Sequence, residues 1–111
     1  MTAVQTVVEI CPVDRLVPGR GAAALLPDGR QVAVFRTVGG DVYALSNVDP
    51  FTRAAVLSRG IIGDVRGVPY VASPMLKHRF ELATGHSLED ETVAVRTYPV
   101  SVVEGMVYLQ P

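Results

Sequence analysis

Turn signals punctuate this chain at intervals of roughly eight to twelve residues, which leaves room for short strands and little for helices. Pro27-Asp28-Gly29, Val38-Gly39-Gly40-Asp41, Arg66-Gly67, Thr84-Gly85 and Glu104-Gly105 are the clearest. The runs between them are rich in β-branched residues. They predict strands over 6–11, 22–26, 31–37, 42–47, 61–65, 68–73, 100–103 and 106–109. One helical turn is expected over 12–16, closed by Pro18-Gly19. Helical periodicity is weak throughout, so the expected class is an all-β sandwich or barrel of short antiparallel strands. Phe80 and Leu82 alternate with Glu81 and should face the core. Ala54-Ala55-Val56-Leu57 is expected to pack inward as well.

Size and composition narrow the possibilities. The chain has 111 residues, which fits a single domain over 1–111. Hydrophobic residues make up 49% and charged residues 19%, a composition that builds a core rather than a disordered chain. A net charge of -1 gives no electrostatic case for nucleic acid. No apolar run reaches the roughly 18 residues of a membrane-spanning helix, and no basic region followed by an apolar stretch reads as a leader. The one cysteine, Cys11, cannot close an internal disulfide. It is expected as a buried thiol on the first strand, in a protein of the reducing cytoplasm.

The residues that could carry chemistry gather between Ala44 and Gly85. Two loops stand out, Asn47-Val48-Asp49-Pro50-Phe51 and Ser73-Pro74-Met75-Leu76-Lys77-His78-Arg79-Phe80, each entered from a strand-like run. Gly19-Arg20-Gly21-Ala22-Ala23-Ala24 spells a dinucleotide-binding pattern, but it lacks a strand before it and a helix after it, so it reads as a turn into a strand. His78 and His86 are too few for a tetrahedral zinc site, and His78, between Lys77 and Arg79, reads as a solvated loop residue. Asp49 and Ser73 suit caps within their own loops. No nucleophile elbow accompanies Ser73 and His78, so no catalytic residue is expected. Arg53, Arg59, Lys77 and Arg79 would form a basic patch if the loops converge. Glu89-Asp90-Glu91 would then be its acidic counterpart elsewhere, an arrangement suited to steering toward an acidic partner surface.

This two-loop stretch resembles a Rieske domain. The matching features are Asn47, Pro50, Ala54, Leu57-Ser58-x-Gly60, Pro74, Phe80, Leu82 and Thr84-Gly85. In that family the loops read Cys-x-His and Cys-x-x-His, and together they hold a [2Fe–2S] cluster. Here the four ligand positions fall on Asp49, Phe51, Ser73 and Leu76. Such a centre needs two thiolates and two imidazoles, so the resemblance implies the loops without the cluster, and no metal or cofactor in this chain. The longer string Asn47-x-Asp49-Pro50-Phe51, Val56-Leu57-Ser58-Arg59-Gly60-Ile61, Val71-Ala72-Ser73-Pro74, Lys77-x-x-Phe80-x-Leu82-x-Thr84-Gly85 and Leu88-Glu89-Asp90-Glu91 is similar to the small subunit of assimilatory NAD(P)H-dependent nitrite reductase.

That resemblance implies a Rieske-like sandwich or partly open barrel lacking the cluster ligands. It also implies a non-catalytic subunit of an enzyme that reduces nitrite to ammonium in nitrate assimilation. The partner would be a large subunit carrying flavin (FAD), an iron–sulfur cluster and sirohaem. Phe51, Arg53, Arg59, Lys77 and Arg79 are the residues expected to dock on it, with no role for nucleic acid or membrane. The alternatives are a structural or regulatory module of another oxidoreductase, and a redox protein with unconventional metal ligands.

Overall fold

The computed structural model describes residues 7–111, and Thr6, expected to open the first strand, lies outside them. The described residues form ten strands: β1 (Val8–Pro12), β2 (Arg20–Leu25), β3 (Gln31–Arg36), β4 (Val42–Ser46), β5 (Ile61–Val65), β6 (Val68–Ala72), β7 (Arg79–Glu81), β8 (Thr97–Tyr98), β9 (Val100–Val103) and β10 (Met106–Leu109). Every pairing is antiparallel. The strands make three open sheets, ordered β1-β10-β9, β2-β3-β4-β8 and β5-β6-β7. The expected all-β fold of short antiparallel strands is present, as sheets rather than a closed barrel.

β3 explains the layering. Successive side chains of a strand point to opposite faces, so a strand buried on one face alternates apolar with polar. Val32, Ala33, Val34 and Phe35 are instead all buried, so both faces of this sheet are covered. Val32 and Val34 join Ala44, Tyr98, Val107 and Leu109 in one core, shared with the β1-β10-β9 sheet. Ala33 and Phe35 join Leu45, Leu57, Val71, Phe80 and Leu82 in a second core, shared with the β5-β6-β7 sheet. The middle sheet is thus the common wall of two cores. Phe80 and Leu82 face the interior as their alternation predicted.

The local differences from the sequence reading have simple causes. β2 starts at Arg20 rather than Ala22, because the turn before it is tight. Arg20 N–H donates to the Val17 carbonyl at 3.1 Å, with Pro18 and left-handed Gly19 (φ 83°) at the centre, as a type II turn requires. The expected helical turn contracts to a 3-10 turn, Val13–Arg15. Of Ala54 to Leu57, only Leu57 is buried and Ala55 is exposed. That segment is loop followed by a 3-10 turn, Leu57–Arg59, so no strand alternation aims several side chains inward. Cys11 is half-buried rather than buried. Burial pushes its thiol pKa up, against a smaller opposing pull from Arg15.

Candidate functional site

The two loops follow β4 and β6, and they are built alike. In the first, Asp49 N–H donates to the Ala54 carbonyl at 2.8 Å and Arg53 N–H donates to the Asp49 carbonyl at 2.7 Å. In the second, Ser73 N–H donates to the His78 carbonyl at 2.8 Å and Lys77 N–H donates to the Ser73 carbonyl at 3.0 Å. Four residues after Asp49 and after Ser73 the chain is left-handed, at Arg53 (φ 63°) and Lys77 (φ 61°). The same two bonds recur from Glu81 to Gly85 and His86. There the left-handed residue is Gly85 (φ 80°), where a Cβ would meet the Val95 carbonyl. At Arg53 and Lys77 the sequence keeps a cation where glycine would be relaxed.

Asn47 anchors the first loop from inside. It is 2% exposed. Its Oδ1 accepts from Ser58 N–H at 2.7 Å and its Nδ2 donates to Gln31 Oε1 at 3.1 Å. Its own N–H and carbonyl bond to Gln31 and Leu57. One buried amide therefore ties the loop both to β3 and to the 3-10 turn after it.

The side chains at the head of each loop meet. Asp49 and Ser73 are buried, at 0% and 1% exposure. Ser73 Oγ donates to Asp49 Oδ2 at 2.5 Å, while Asp49 Oδ1 accepts from Phe51 N–H at 2.8 Å and Ser73 Oγ accepts from Met75 N–H at 3.3 Å. The expectation that each would cap its own loop holds. The bond between them was not legible, because the two residues stand 24 positions apart. This pair cross-links the loops through hydrogen bonding alone.

The other two ligand positions part company. Phe51 is half-buried and stacks on the His78 ring, with centroids 3.8 Å apart and an interplanar angle of 15°. It also leans on Phe80 at 6.0 Å. His78 is therefore a packed residue rather than a solvated one. Its Nδ1 is buried and has no hydrogen-bond partner among the described residues. Leu76 is 62% exposed and Met75 50% exposed, at the apex of the second loop.

These residues do not fit a [2Fe–2S] cluster. The two oxygens at the former thiolate positions are bonded to each other, and Phe51 and Leu76 have no lone pair to offer iron. Among the described residues no group of three or more His, Cys, Asp or Glu side chains could hold a metal ion.

The basic residues divide. Arg53 and Lys77 are exposed on the loops, and neither enters an ion pair among the described residues. Arg79 is committed: its Nε lies 2.7 Å from Glu89 Oε2, its backbone N–H donates to Glu89 Oε1 at 2.6 Å, and its guanidinium lies over the Tyr70 ring. The acidic run is thus not a counterpart elsewhere, since Glu89 clasps the end of the second loop. Burial opposes the Glu89 charge, but the hydrogen bonds from Arg79 outweigh it and hold the carboxyl below its ordinary pKa. Asp90 is also lowered, by the Thr92 hydroxyl and backbone N–H it accepts from. Arg59 does not stand on the loops; it borders a cleft with Arg20, Gly21 and Ile61.

Comparison with known proteins agrees with this geometry. A profile for the Rieske-like [2Fe-2S] domain matches residues 6–110. The chain is 47% identical over 102 residues to the nitrite reductase (NADH) small subunit of Salmonella typhimurium, covering 91% of this chain and 94% of that protein. The NMR structure of the Escherichia coli protein NirD superposes with a TM-score of 0.87 at 43% identity, covering 96% of each chain. The chain is also 43% identical over 100 residues to part of a Klebsiella oxytoca nitrite reductase [NAD(P)H] large subunit, spanning 90% of this chain and 10% of that protein. The chain belongs to the Rieske-like family, and within it to the small subunits of NADH-dependent nitrite reductase.

Proposed function

We propose that this chain is the non-redox small subunit of a cytoplasmic NAD(P)H-dependent nitrite reductase, and that it docks its two-loop tip on the large subunit. The enzyme reduces nitrite to ammonium. Flavin, an iron–sulfur cluster and sirohaem belong to the large subunit, and this chain supplies shape and contact. The observation that carries this reading is the Asp49–Ser73 hydrogen bond, which joins the loops with atoms that do not carry electrons. The Klebsiella relative supports the choice of partner, since a segment like this chain lies within a protein named as the large subunit.

The tip has the composition of a contact surface. Met75 and Leu76 are exposed apolar side chains followed by exposed Lys77, and Arg53 is exposed on the other loop. Apolar anchors with a charged rim suit association with an acidic partner. Phe51 supports the tip from beneath through its stack on His78, and Arg79 shapes it through Glu89.

Copurification with the large subunit tests the reading. The expected result is a complex that reduces nitrite with nicotinamide electrons, formed from an isolated small chain that is colourless and iron-free. A small chain that purifies with stoichiometric iron and a visible absorption band, or that never associates with a sirohaem protein, overturns it.

A further inference from the structure

We infer that Met75 is a reversible oxidation site, and that adding one oxygen atom to its sulfur releases the loop tip from the large subunit. This rests on the reading that the tip docks there. It adds a means of control to that contact.

Oxidation of a thioether depends on access, because the oxidant must reach the sulfur. The sequence holds three methionines. Met75 is 50% exposed, at the apex of the second loop. Met106 is half-buried in β10, the middle strand of its sheet, with Pro12 and Val103 opposite it on either side. Met1 lies outside the described residues.

The backbone around Met75 is pinned. Its own N–H donates to Ser73 Oγ at 3.3 Å. Ser73 N–H reaches the His78 carbonyl and Lys77 N–H reaches the Ser73 carbonyl, so the apex is closed by main-chain bonds on both sides of it. Pro74 fixes the dihedral angle just before it. The first loop treats the equivalent place differently. Phe51 stands two residues after Asp49, as Met75 stands two after Ser73, but Phe51 is half-buried on the His78 ring. One loop therefore spends this position on packing. The other leaves it at the surface beside Leu76, as one of the two apolar contacts of the tip.

The chemistry needs a two-electron oxidant of the peroxide class. The sulfur lone pair attacks hydrogen peroxide, an S–O bond forms as the O–O bond breaks, and the peroxide leaves as water. Sulfur has then lost two electrons, and no bond of the chain is cut. A sulfoxide reductase reverses the step with two thiols, which become a disulfide as the oxygen leaves in water. The product carries a polar S=O group where an apolar thioether stood. Burying that group in a contact without a donor to meet it is unfavourable. Leu76 has no sulfur, and neither has the Asp49–Ser73 clasp that closes the loops, so the change falls on one contact side chain and spares the fold.

The test treats the full chain with hydrogen peroxide, removes the peroxide, and then titrates the chain with its purified large subunit. Tryptic mass spectrometry is expected to show one added oxygen on the peptide 67–77 before any appears on 97–111. The Kd should rise by about tenfold or more, as loss of an apolar anchor does, and methionine sulfoxide reductase should return it to its starting value. Met75→Leu carries the other two methionines through the same treatment. Whatever its own affinity, its Kd should be the same before and after peroxide. A chain oxidised at Met75 that binds like the untreated one overturns the proposal, as does a Met75→Leu chain that loses affinity on treatment. Untreated Leu76→Glu separates the two readings. If it weakens binding and oxidation does not, the control fails and the docking tip stands. If neither weakens binding, the contact lies off the tip and both fall. No complex at all overturns the partner reading, and the proposal with it.

Discussion

At Asp49 a buried carboxylate stands with two hydrogen-bond donors and no cationic partner among the described residues. Removing it strands the buried Ser73 hydroxyl and takes the acceptor from the part-buried Phe51 N–H. Asp49→Ala should therefore lower the unfolding free energy by about 1–3 kcal/mol, read by urea denaturation. Asp49→Asn keeps an acceptor for Phe51 and should cost less. Equal stability of Asp49→Ala and the parent would remove the pair from its cross-linking role. At Glu89 the linkage has a definite sign. Its folded pKa is depressed, so its stabilisation is present above the ordinary glutamate range near 4.3 and is lost as pH falls through the lower folded value. Glu89→Gln should melt below the parent at neutral pH, and the two melting curves should converge under acid. At this scale the sequence told only part of the story. Asp49 and Ser73 were recognisable as loop caps, and Phe51 and Leu76 as non-ligands. The Phe51–His78 stack and the Arg79–Glu89 clasp join residues far apart in sequence, and no periodicity marks them.

Elements were more legible than contacts. Turn chemistry located the strands because Gly, Pro and Asp act on their own backbone, within a few residues. The misplacements fell where tertiary packing decides, as at 54–57, where the chain runs in a loop and 3-10 turn and only Leu57 is buried. Nor did the sequence announce that the loops share one backbone design, since only Pro50 and Pro74 are identical at corresponding positions, with a cation at Arg53 and Lys77. The design has a cost. An L-residue in the left-handed region loses about 1–2 kcal/mol relative to glycine's freedom there, partly offset by glycine's greater entropy when unfolded. Arg53 and Lys77 both bear it, and strain of this kind gathers at working surfaces. Lys77→Gly should leave stability unchanged or raised, by thermal denaturation, while weakening binding to the large subunit. A variant that binds as the parent does would detach the strain from docking.

On the scale of the whole molecule, the middle sheet β2-β3-β4-β8 separates two cores, and the loops grow from the core on one side. The family fold could be read from the loop residues and their spacing, whereas the sharing of β3 by two cores appeared only with the coordinates. Docking should divide accordingly. Leu76→Glu places a charge on a side chain already 62% exposed, so the fold should be unaffected. Binding to the large subunit should nonetheless weaken by about tenfold or more in a calorimetric titration, as loss of an apolar anchor does. Unchanged affinity would move the contact off the tip.

The bond between Ser73 and Asp49 bears on how the subunit matures. Loops joined by a hydrogen bond between two side chains should need no metallocentre assembly machinery to close, and no oxidant should strip out what joins them. Cells starved of iron by a chelator should accumulate this chain, correctly folded, at the same yield as iron-replete cells.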